Sequence, residues 1–306
     1  MHTPESNLGR TFMVLGGLVA ANVAKADTLF VRTSDVPVIF ETSTGTSSEI
    51  SGLLGSGEEI IDAAFDETTK TLRATFEGSS TGGLMNIENP GSSTSATATR
   101  YEKSGVEPRS LKVGALSDTL YFTDHGGSVG YKCPTPEDFE DETCTTLATD
   151  QYAISLAWDE EITDTGITID DRNDTWEIFD TTGTINSGGG LDNPMDVTIC
   201  PGIGEYAFVA NSVGQEIVTF DLDPSVADQI AATSIDNVPE KIVCFNHTDG
   251  RTILAASGHS TTGERDYNTV LYEVGSGGVL SSLGTISTGG STVITALNVD
   301  HLSEGT

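Results

Sequence analysis

Basic residues are scarce in this 306-residue sequence. It has 14 Lys and Arg, only six of them Lys, against 46 Asp and Glu, so its net charge is −32. Nucleic acids and anionic lipid surfaces bind proteins through positive patches, and the composition therefore excludes sequence-independent binding to either. The acidic residues are spread along the chain, which favours a solvation coat typical of a marine or saline (halophilic) setting. The alternatives are an ordinary acidic exported protein and carboxylates that collect Ca²⁺.

Several catalytic and metal-binding motifs are also missing. The sequence contains no P-loop and no HExxH motif, which leaves nucleotide-binding and zinc-protease readings without support. It contains no CxxCH segment, which excludes the usual covalent attachment of c-type haem. Neither CxxC nor HxxxH spacing occurs, so a zinc site is not expected. No motif in the sequence identifies a catalysed reaction.

Long apolar runs are absent too, and the one short run lies near the N-terminus. Residues 11–23 are apolar, Arg10 precedes them, and Ala24-Lys25-Ala26 follows as an A-x-A cleavage site. This layout predicts a secretory signal peptide over residues 1–26 and a mature chain of residues 27–306, secreted or periplasmic. No membrane insertion is expected after cleavage. The alternative is an amphipathic or buried N-terminal helix.

The four cysteines all lie in the predicted mature chain. An even number of cysteines in an exported protein favours disulfides. Cys133 and Cys144 bracket an acidic loop and form the preferred pair. Cys200 and Cys244 lie in successive repeat units, where they either link neighbouring units or remain buried free thiols.

Short runs of β-branched and aromatic residues recur along the chain, separated by Gly, Asp, Asn, Ser and Thr clusters, which predicts an all-β structure. Similar segments begin at Pro108, Pro194 and Pro239, and these prolines are 86 and 45 residues apart. A period near 43 residues with several strands in each unit is typical of a β-propeller blade. We therefore predict a single β-propeller over residues 27–306.

The two ends of this region predict how the ring closes. TLFVRTSDVPVIFET reads as the second and third strands of a blade, and VITALNVDH reads as a first strand. Pairing the N-terminal strands with the C-terminal strand makes a composite blade and removes exposed sheet edges. Together with five internal units, this predicts six blades. Seven is the alternative, if residues 134–150 or 275–292 hold a degenerate blade.

One repeat unit resembles a known family. GEYAFVANSVGQEIVTFDLD, residues 204–223, contains a Tyr-Val-Ala-Asn-like strand at Phe208–Asn211, a polar turn, and a strand that ends in Asp221. It resembles the YVTN repeat of exported bacterial and archaeal propellers. LYFTDHGGSVG, residues 120–130, is similar to the same position in YVTN-type or NHL-type blades. The resemblance implies the propeller architecture and transfers no catalytic residue.

Candidate ligand-binding residues follow from the propeller itself, because the start of each innermost strand faces one mouth of the central channel. His125, one of five histidines, is added because several propellers place ligands at the turn where it lies. The candidates are Asp62, Arg109, His125, Asp196, Glu240 and Lys241. A water-filled channel without a role is the alternative.

An acidic turn is a candidate Ca²⁺ site. Its oxygen-bearing side chains belong to Asp170, Asp171, Asn173 and Asp174. The turn lacks the Gly and the closing Glu of an EF-hand loop, so a solvated hairpin tip is the alternative.

The missing catalytic signature favours a binding or scaffold propeller that presents its loops, at residues 79–100, 134–150 and 259–268, to a protein or glycan partner. The alternative is a calcium-dependent, lactonase-like hydrolase with its site at the central channel. Fold analogy supports that alternative. A third reading is a subunit of an exported redox complex whose cofactor lies on another chain.

Overall fold

The computed structural model describes residues 28–298 with gaps at 33–36, 42–45, 50–51, 67–68, 70, 79–80, 89–95, 115–116, 118, 125–128, 148–151, 201, 204, 247–249, 261–266 and 288–292. The first three strands and the last strand are described at the level of the backbone. The predicted signal peptide, residues 1–26, lies outside the described residues.

Five blades are each built from four consecutive antiparallel strands. Blade 1 contains β4 (Glu59–Asp66), β5 (Thr71–Glu77), β6 (Thr81–Glu88) and β7 (Thr97–Ser104). Blade 2 contains β8 (Pro108–Val113), β9 (Leu120–Asp124), β10 (Val129–Cys133) and β11 (Thr145–Leu147). Blade 3 contains β12 (Ser155–Asp159), β13 (Thr165–Asp170), β14 (Thr175–Asp180) and β15 (Gly183–Gly189). Blade 4 contains β16 (Pro194–Ile199), β17 (Tyr206–Asn211), β18 (Glu216–Asp221) and β19 (Asp228–Ser234). Blade 5 contains β20 (Asn237–Asn246), β21 (Thr252–Ser260), β22 (Tyr267–Val274) and β23 (Leu280–Ser287).

A further four-stranded sheet joins the two ends of the chain. This closing sheet contains β24 (Val293–Asn298), β1 (Thr28–Arg32), β2 (Pro37–Glu41) and β3 (Thr46–Glu49), in that spatial order. The innermost strands β4, β8, β12, β16 and β20 follow one another, and β24 lies between β20 and β4. The chain is therefore a single all-β propeller.

The structure has five continuous blades where the sequence predicted six, and the further four-stranded sheet is the closing sheet, assembled from both ends of the chain. The alternative of a seventh blade is wrong for the described residues. Residues 134–150 supply a short helix and the outer strand β11 of blade 2, and residues 275–292 supply a 3₁₀ turn, Ser276–Gly278, and the outer strand β23 of blade 5.

Blade 4 illustrates why these residues form strands. Tyr206–Asn211 and Glu216–Asp221 pair in continuous antiparallel register and are rich in β-branched and aromatic residues. The connecting turn, residues 212–215, closes with a hydrogen bond from the Gln215 N–H to the Ser212 carbonyl. Gln215 has a positive φ of 52°, which a tight hairpin turn requires.

The hydrophobic core lies between the blades. One cluster joins blades 3 and 4, another joins blades 4 and 5, and a third joins blades 1 and 2. The aromatic residues predicted to fill these spaces are buried where the structure describes their side chains, namely Phe76, Trp158, Trp176, Phe208 and Phe220. The side chain of Phe65, predicted to do the same, lies outside the described residues.

Two disulfides are present, and both match the predicted pairs. Cys133–Cys144 closes the acidic loop that contains helix α1 (Pro136–Glu140). Cys200–Cys244 joins blade 4 to blade 5. In the part of the chain that the structure describes, no helix is long and apolar enough to cross a membrane.

Candidate functional site

Four charged side chains meet in the central channel. Asp62 lies on β4, Lys112 on β8, Asp196 on β16 and Lys241 on β20. The Lys241 Nζ atom lies 3.4 Å from Asp62 Oδ2 and 3.9 Å from Asp196 Oδ2, and the Lys112 Nζ atom lies 3.3 Å from Asp196 Oδ1. Because β24 separates β20 from β4 and β12 separates β8 from β16, two of these ion pairs cross the channel between non-adjacent strands. We call these four residues the channel cluster.

Hydrogen bonds to neighbouring strands hold the two carboxylates in place. Asp62 Oδ2 accepts the backbone N–H of Leu111 at 3.0 Å, and Asp196 Oδ2 accepts the backbone N–H of Ile242 at 3.1 Å. The Ser155 hydroxyl donates to Asp196 Oδ1 at 2.7 Å and lies 3.0 Å from the Ser110 hydroxyl. Each carboxylate thus joins its own blade to the next one around the ring.

Irregularities in the innermost strands set the direction of these side chains. The register shifts between Ile60 and Asp62, between Pro194 and Asp196, and between Pro239 and Lys241. An extra residue in one strand of an antiparallel pair bends that strand and redirects the neighbouring side chains. The innermost strand of blade 2 also shifts register, between Pro108 and Leu111, so this irregularity recurs in four blades near the channel cluster.

Electrostatics keep Asp196 ionised. Burial, the largest single influence, raises the pKa of its carboxyl. The charges of Lys112 and Lys241, together with the hydrogen bonds from Ser155 and the Ile242 N–H, outweigh burial, so the pKa of Asp196 is lower than usual. The site can therefore present fixed ammonium groups supported by a buried, charged carboxylate.

Two other predicted channel residues, Arg109 and Glu240, do not join the cluster. Arg109 pairs with Glu77 at 3.2 Å and with Glu107 at 3.8 Å. Glu240 Oε1 lies 2.9 Å from Nδ1 of His259. His125 lies outside the described residues. The sequence prediction thus selected Asp62, Asp196 and Lys241 of the cluster and missed Lys112.

The predicted Ca²⁺ turn is held by hydrogen bonds within the protein. Asp170 Oδ1 accepts the backbone N–H groups of Arg172 and Asn173, and its Oδ2 accepts the Asn173 side-chain amide at 2.6 Å. Asp174 Oδ1 accepts the Asn193 N–H at 2.7 Å, and Asp171 Oδ1 has no hydrogen-bond partner among the residues that the structure describes. Among the described residues, no three His, Cys, Asp or Glu side chains are grouped to hold a metal ion. Ca²⁺ binding at this turn stays a prediction.

The sequence also contains the GxSxG pattern twice, at residues 78–82 and 126–130. The last two residues of the first segment begin β6, which pairs antiparallel with the preceding strand β5, and the last two of the second begin β10, which pairs antiparallel with β9. The nucleophile elbow of α/β-hydrolases instead requires a turn from a strand into a helix. In both places the described elements before and after the serine are strands, and no helix directly follows either segment.

Comparisons with known proteins relate this chain to others by fold. No known protein family and no curated protein matches it in sequence. A Bacteroides uniformis protein described as a 6-phosphogluconolactonase matches with a TM-score of 0.60 at 15% identity, over 87% of this chain and 83% of its own. The chain has a β-propeller fold. The periplasmic gluconolactonase of Pseudomonas aeruginosa matches with a TM-score of 0.56 at 12% identity, and the match covers 89% of this chain and 98% of the gluconolactonase. A chain of the mitotic checkpoint complex matches with a TM-score of 0.55 at 11% identity, and the match covers 94% of this chain and 88% of the other.

These similarities establish the β-propeller and no finer relationship. The YVTN resemblance is limited to the sequence segments that carry it, since no family matches the chain. The propellers with similar structures include proteins named as lactonases and a component of a protein assembly, so the fold alone does not decide between catalysis and binding.

Proposed function

We propose that this propeller hydrolyses a small polyhydroxylated lactone in its central channel. The observation that carries the proposal is the channel cluster, in which ammonium groups and buried carboxylates from four innermost strands lie within 3.3–3.9 Å of each other. The fold shared with proteins named as gluconolactonases supports the choice of substrate class. The proposal adopts the lactonase-like reading in preference to a binding role alone.

The chemistry of lactone opening suits such a cluster. Water adds to the ring carbonyl carbon, the bond from that carbon to the ring oxygen breaks, and the ring oxygen takes up a proton. The resulting carboxylic acid ionises and releases one proton at neutral pH. Negative charge develops on the carbonyl oxygen in the transition state, and a preorganised cation stabilises such charge. Lys112 and Lys241 supply the cations, and Asp62 and Asp196 hold them in position.

A calcium-dependent version of this reaction does not fit the channel residues. Ca²⁺ takes six to eight oxygen ligands. Here the Asp62 and Asp196 carboxylates lie beside lysine ammonium groups and accept backbone N–H groups. We therefore include no calcium step, and titration of the protein with Ca²⁺ after chelation tests whether the ion stabilises it.

The second candidate function is a binding or scaffold module for a protein or glycan partner. The observation that favours it is the loop between β10 and β11. The Cys133–Cys144 disulfide closes this loop, and the Tyr101 hydroxyl donates to Glu137 of α1 at 2.6 Å, which docks the helix on blade 1. A rigid, acidic loop of this kind suits a partner with a basic surface.

We also infer that the protein is exported to a secreted or periplasmic location. Disulfides persist in oxidising compartments, and the chain forms two of them. Mass spectrometry of the protein recovered outside the cytoplasm tests the inference, since cleavage after Ala26 leaves a chain that begins at Asp27. Recovery of the uncleaved chain in the cytoplasm would contradict it.

A lactone panel tests the proposed activity. Proton release by the purified protein is followed with glucono-1,5-lactone, its 6-phosphate and an N-acyl homoserine lactone, each corrected for spontaneous hydrolysis. We expect acceleration with at least one of the two sugar lactones and none with the homoserine lactone, whose ring carries no hydroxyl groups and whose tail is apolar. If no sugar lactone is hydrolysed faster than in buffer, the proposal is wrong and the binding candidate takes its place.

A further inference from the structure

The channel lysines are more exposed than the carboxylates that pair with them. The Lys112 side chain is 16% exposed and its partner Asp196 is 1% exposed, while Lys241 is 15% exposed and Asp62 is 2% exposed. The surface pair Lys103–Glu142 has the opposite arrangement, because the Lys103 side chain is 32% exposed and the Glu142 side chain is 73% exposed. A molecule that enters the channel therefore meets ammonium groups before it meets carboxylates.

This arrangement is unusual for so acidic a chain. The whole sequence has only 14 Lys and Arg against 46 Asp and Glu, yet two of its six lysines converge here from different blades. The two buried carboxylates balance the formal charge of the two ammonium groups and fix their position, so the ammonium groups are distinguished by their greater exposure and not by a net charge. An ammonium group has three N–H donors and no acceptor, so the exposed side of the cluster favours ligands that accept hydrogen bonds.

We propose that the channel cluster recognises the carboxylate of a small polyhydroxy acid. Hydrogen bonds between an ammonium and a carboxylate are about twice as strong as those between neutral groups. A carboxylate therefore gains more from Lys112 and Lys241 than a hydroxyl of the same ligand does. The inference rests on the proposed function, because opening a sugar lactone produces this kind of anion, which would occupy the site as product.

Binding measurements with gluconate test the inference without any turnover. The probes are gluconate and glucitol, which has a similar chain of hydroxyls and no carboxylate, titrated calorimetrically into the wild-type protein at constant ionic strength. We expect gluconate to bind at least about 10-fold more tightly than glucitol. The same titrations with Lys112→Met and Lys241→Met are expected to raise the Kd of gluconate by about 10-fold or more.

Lys103→Met is the matched control, because it removes one lysine from a surface ion pair with Glu142. This variant is expected to bind gluconate as the wild type does. Lys112→Arg and Lys241→Arg keep the positive charge. They replace the methionine variants in the titrations if removal of a channel lysine prevents folding. The comparison of gluconate with glucitol needs only the wild-type protein and remains decisive in that case.

Three results would overturn the inference: no saturable binding of gluconate, equal binding of glucitol, or gluconate binding that is unchanged in folded variants lacking Lys112 or Lys241. The outcome is separable from that of the proposed function. Lysine-dependent gluconate binding without lactone hydrolysis supports the inference and contradicts the hydrolase. Lactone hydrolysis with lysine-independent gluconate binding supports the hydrolase and contradicts the inference.

Discussion

The Asp196 carboxylate accepts the backbone N–H of Ile242, on the neighbouring innermost strand, at 3.1 Å. The equivalent bond in blade 1 runs from the Leu111 N–H to Asp62 at 3.0 Å. These bonds give each aspartate two roles, because the same carboxylates also pair with the channel lysines. The strength of the ring and the geometry of the candidate site therefore depend on the same atoms.

Removal of the Asp196 charge should destabilise the protein strongly. Asp196→Asn leaves the Lys112 and Lys241 ammonium groups without one of their carboxylates, and breaking a buried ion pair from one side costs about 3–5 kcal/mol. Chemical denaturation measures the loss. Asp223→Asn, in an exposed turn of the same blade, is the control and should have a much smaller effect. Equal effects of the two substitutions would show that the channel ion pairs stabilise the fold no more than an exposed turn carboxylate does.

The stabilisation from Asp196 should depend on pH in one direction. Its folded-state pKa is lower than its usual value, so its contribution is fully present above the unfolded pKa of about 4 and is lost as the pH falls through the folded value. We expect the difference in unfolding free energy between the wild type and Asp196→Asn to be constant from pH 8 to 6 and to shrink below pH 4. A difference that grows as the pH falls would contradict the predicted direction of the Asp196 pKa shift.

The two disulfides should contribute unequally to stability. Cys200–Cys244 spans 44 residues and Cys133–Cys144 spans 11. The loop-entropy relation gives about 4 kcal/mol for the longer span and about 3 kcal/mol for the shorter. We expect the Cys200→Ser/Cys244→Ser variant to unfold at lower denaturant concentration than Cys133→Ser/Cys144→Ser. The reverse order would mean that the local loop, and not the link between blades 4 and 5, limits stability.

A glycine in blade 3 should be intolerant of any side chain. A Cβ atom at Gly166 would lie 2.5 Å from a Trp158 ring atom and 2.8 Å from a Phe179 ring atom. Overpacking of this kind costs about 1–3 kcal/mol. Gly189→Ala, on the outer strand of the same blade, is the control because the nearest atoms there are 3.7 Å and 3.9 Å away. Thermal unfolding compares the two variants, and equal melting temperatures would contradict the packing described here.

The sequence predicted the fold better than the site, for physical reasons. Proline spacing located the blades because each blade repeats the same strands, and two residues after Pro194 and Pro239 it also located Asp196 and Lys241. Lys112 is four residues after Pro108, beyond the register shift between Pro108 and Leu111. A search confined to strand starts could not find it.

Irregular pairing explains the candidates that do not join the cluster. Arg109 and Glu240 lie within the register shifts of β8 and β20, where side-chain alternation breaks down. They pair with Glu77 and His259 instead. The acidic turn at residues 170–174 resembled a metal site because Asp and Asn side chains can both bind cations and accept hydrogen bonds from the backbone of a turn. In the structure, Asp170 caps the turn.

The most direct test of the central claim is the rate of glucono-1,5-lactone hydrolysis by the wild type, Lys241→Met and Lys103→Met at equal concentrations of folded protein. We predict acceleration over buffer by the wild type, a loss of about 10-fold or more in kcat/KM for Lys241→Met, and no change for Lys103→Met. Equal rates for all three proteins, or no acceleration by the wild type, would contradict the assignment of the channel cluster as a hydrolytic site.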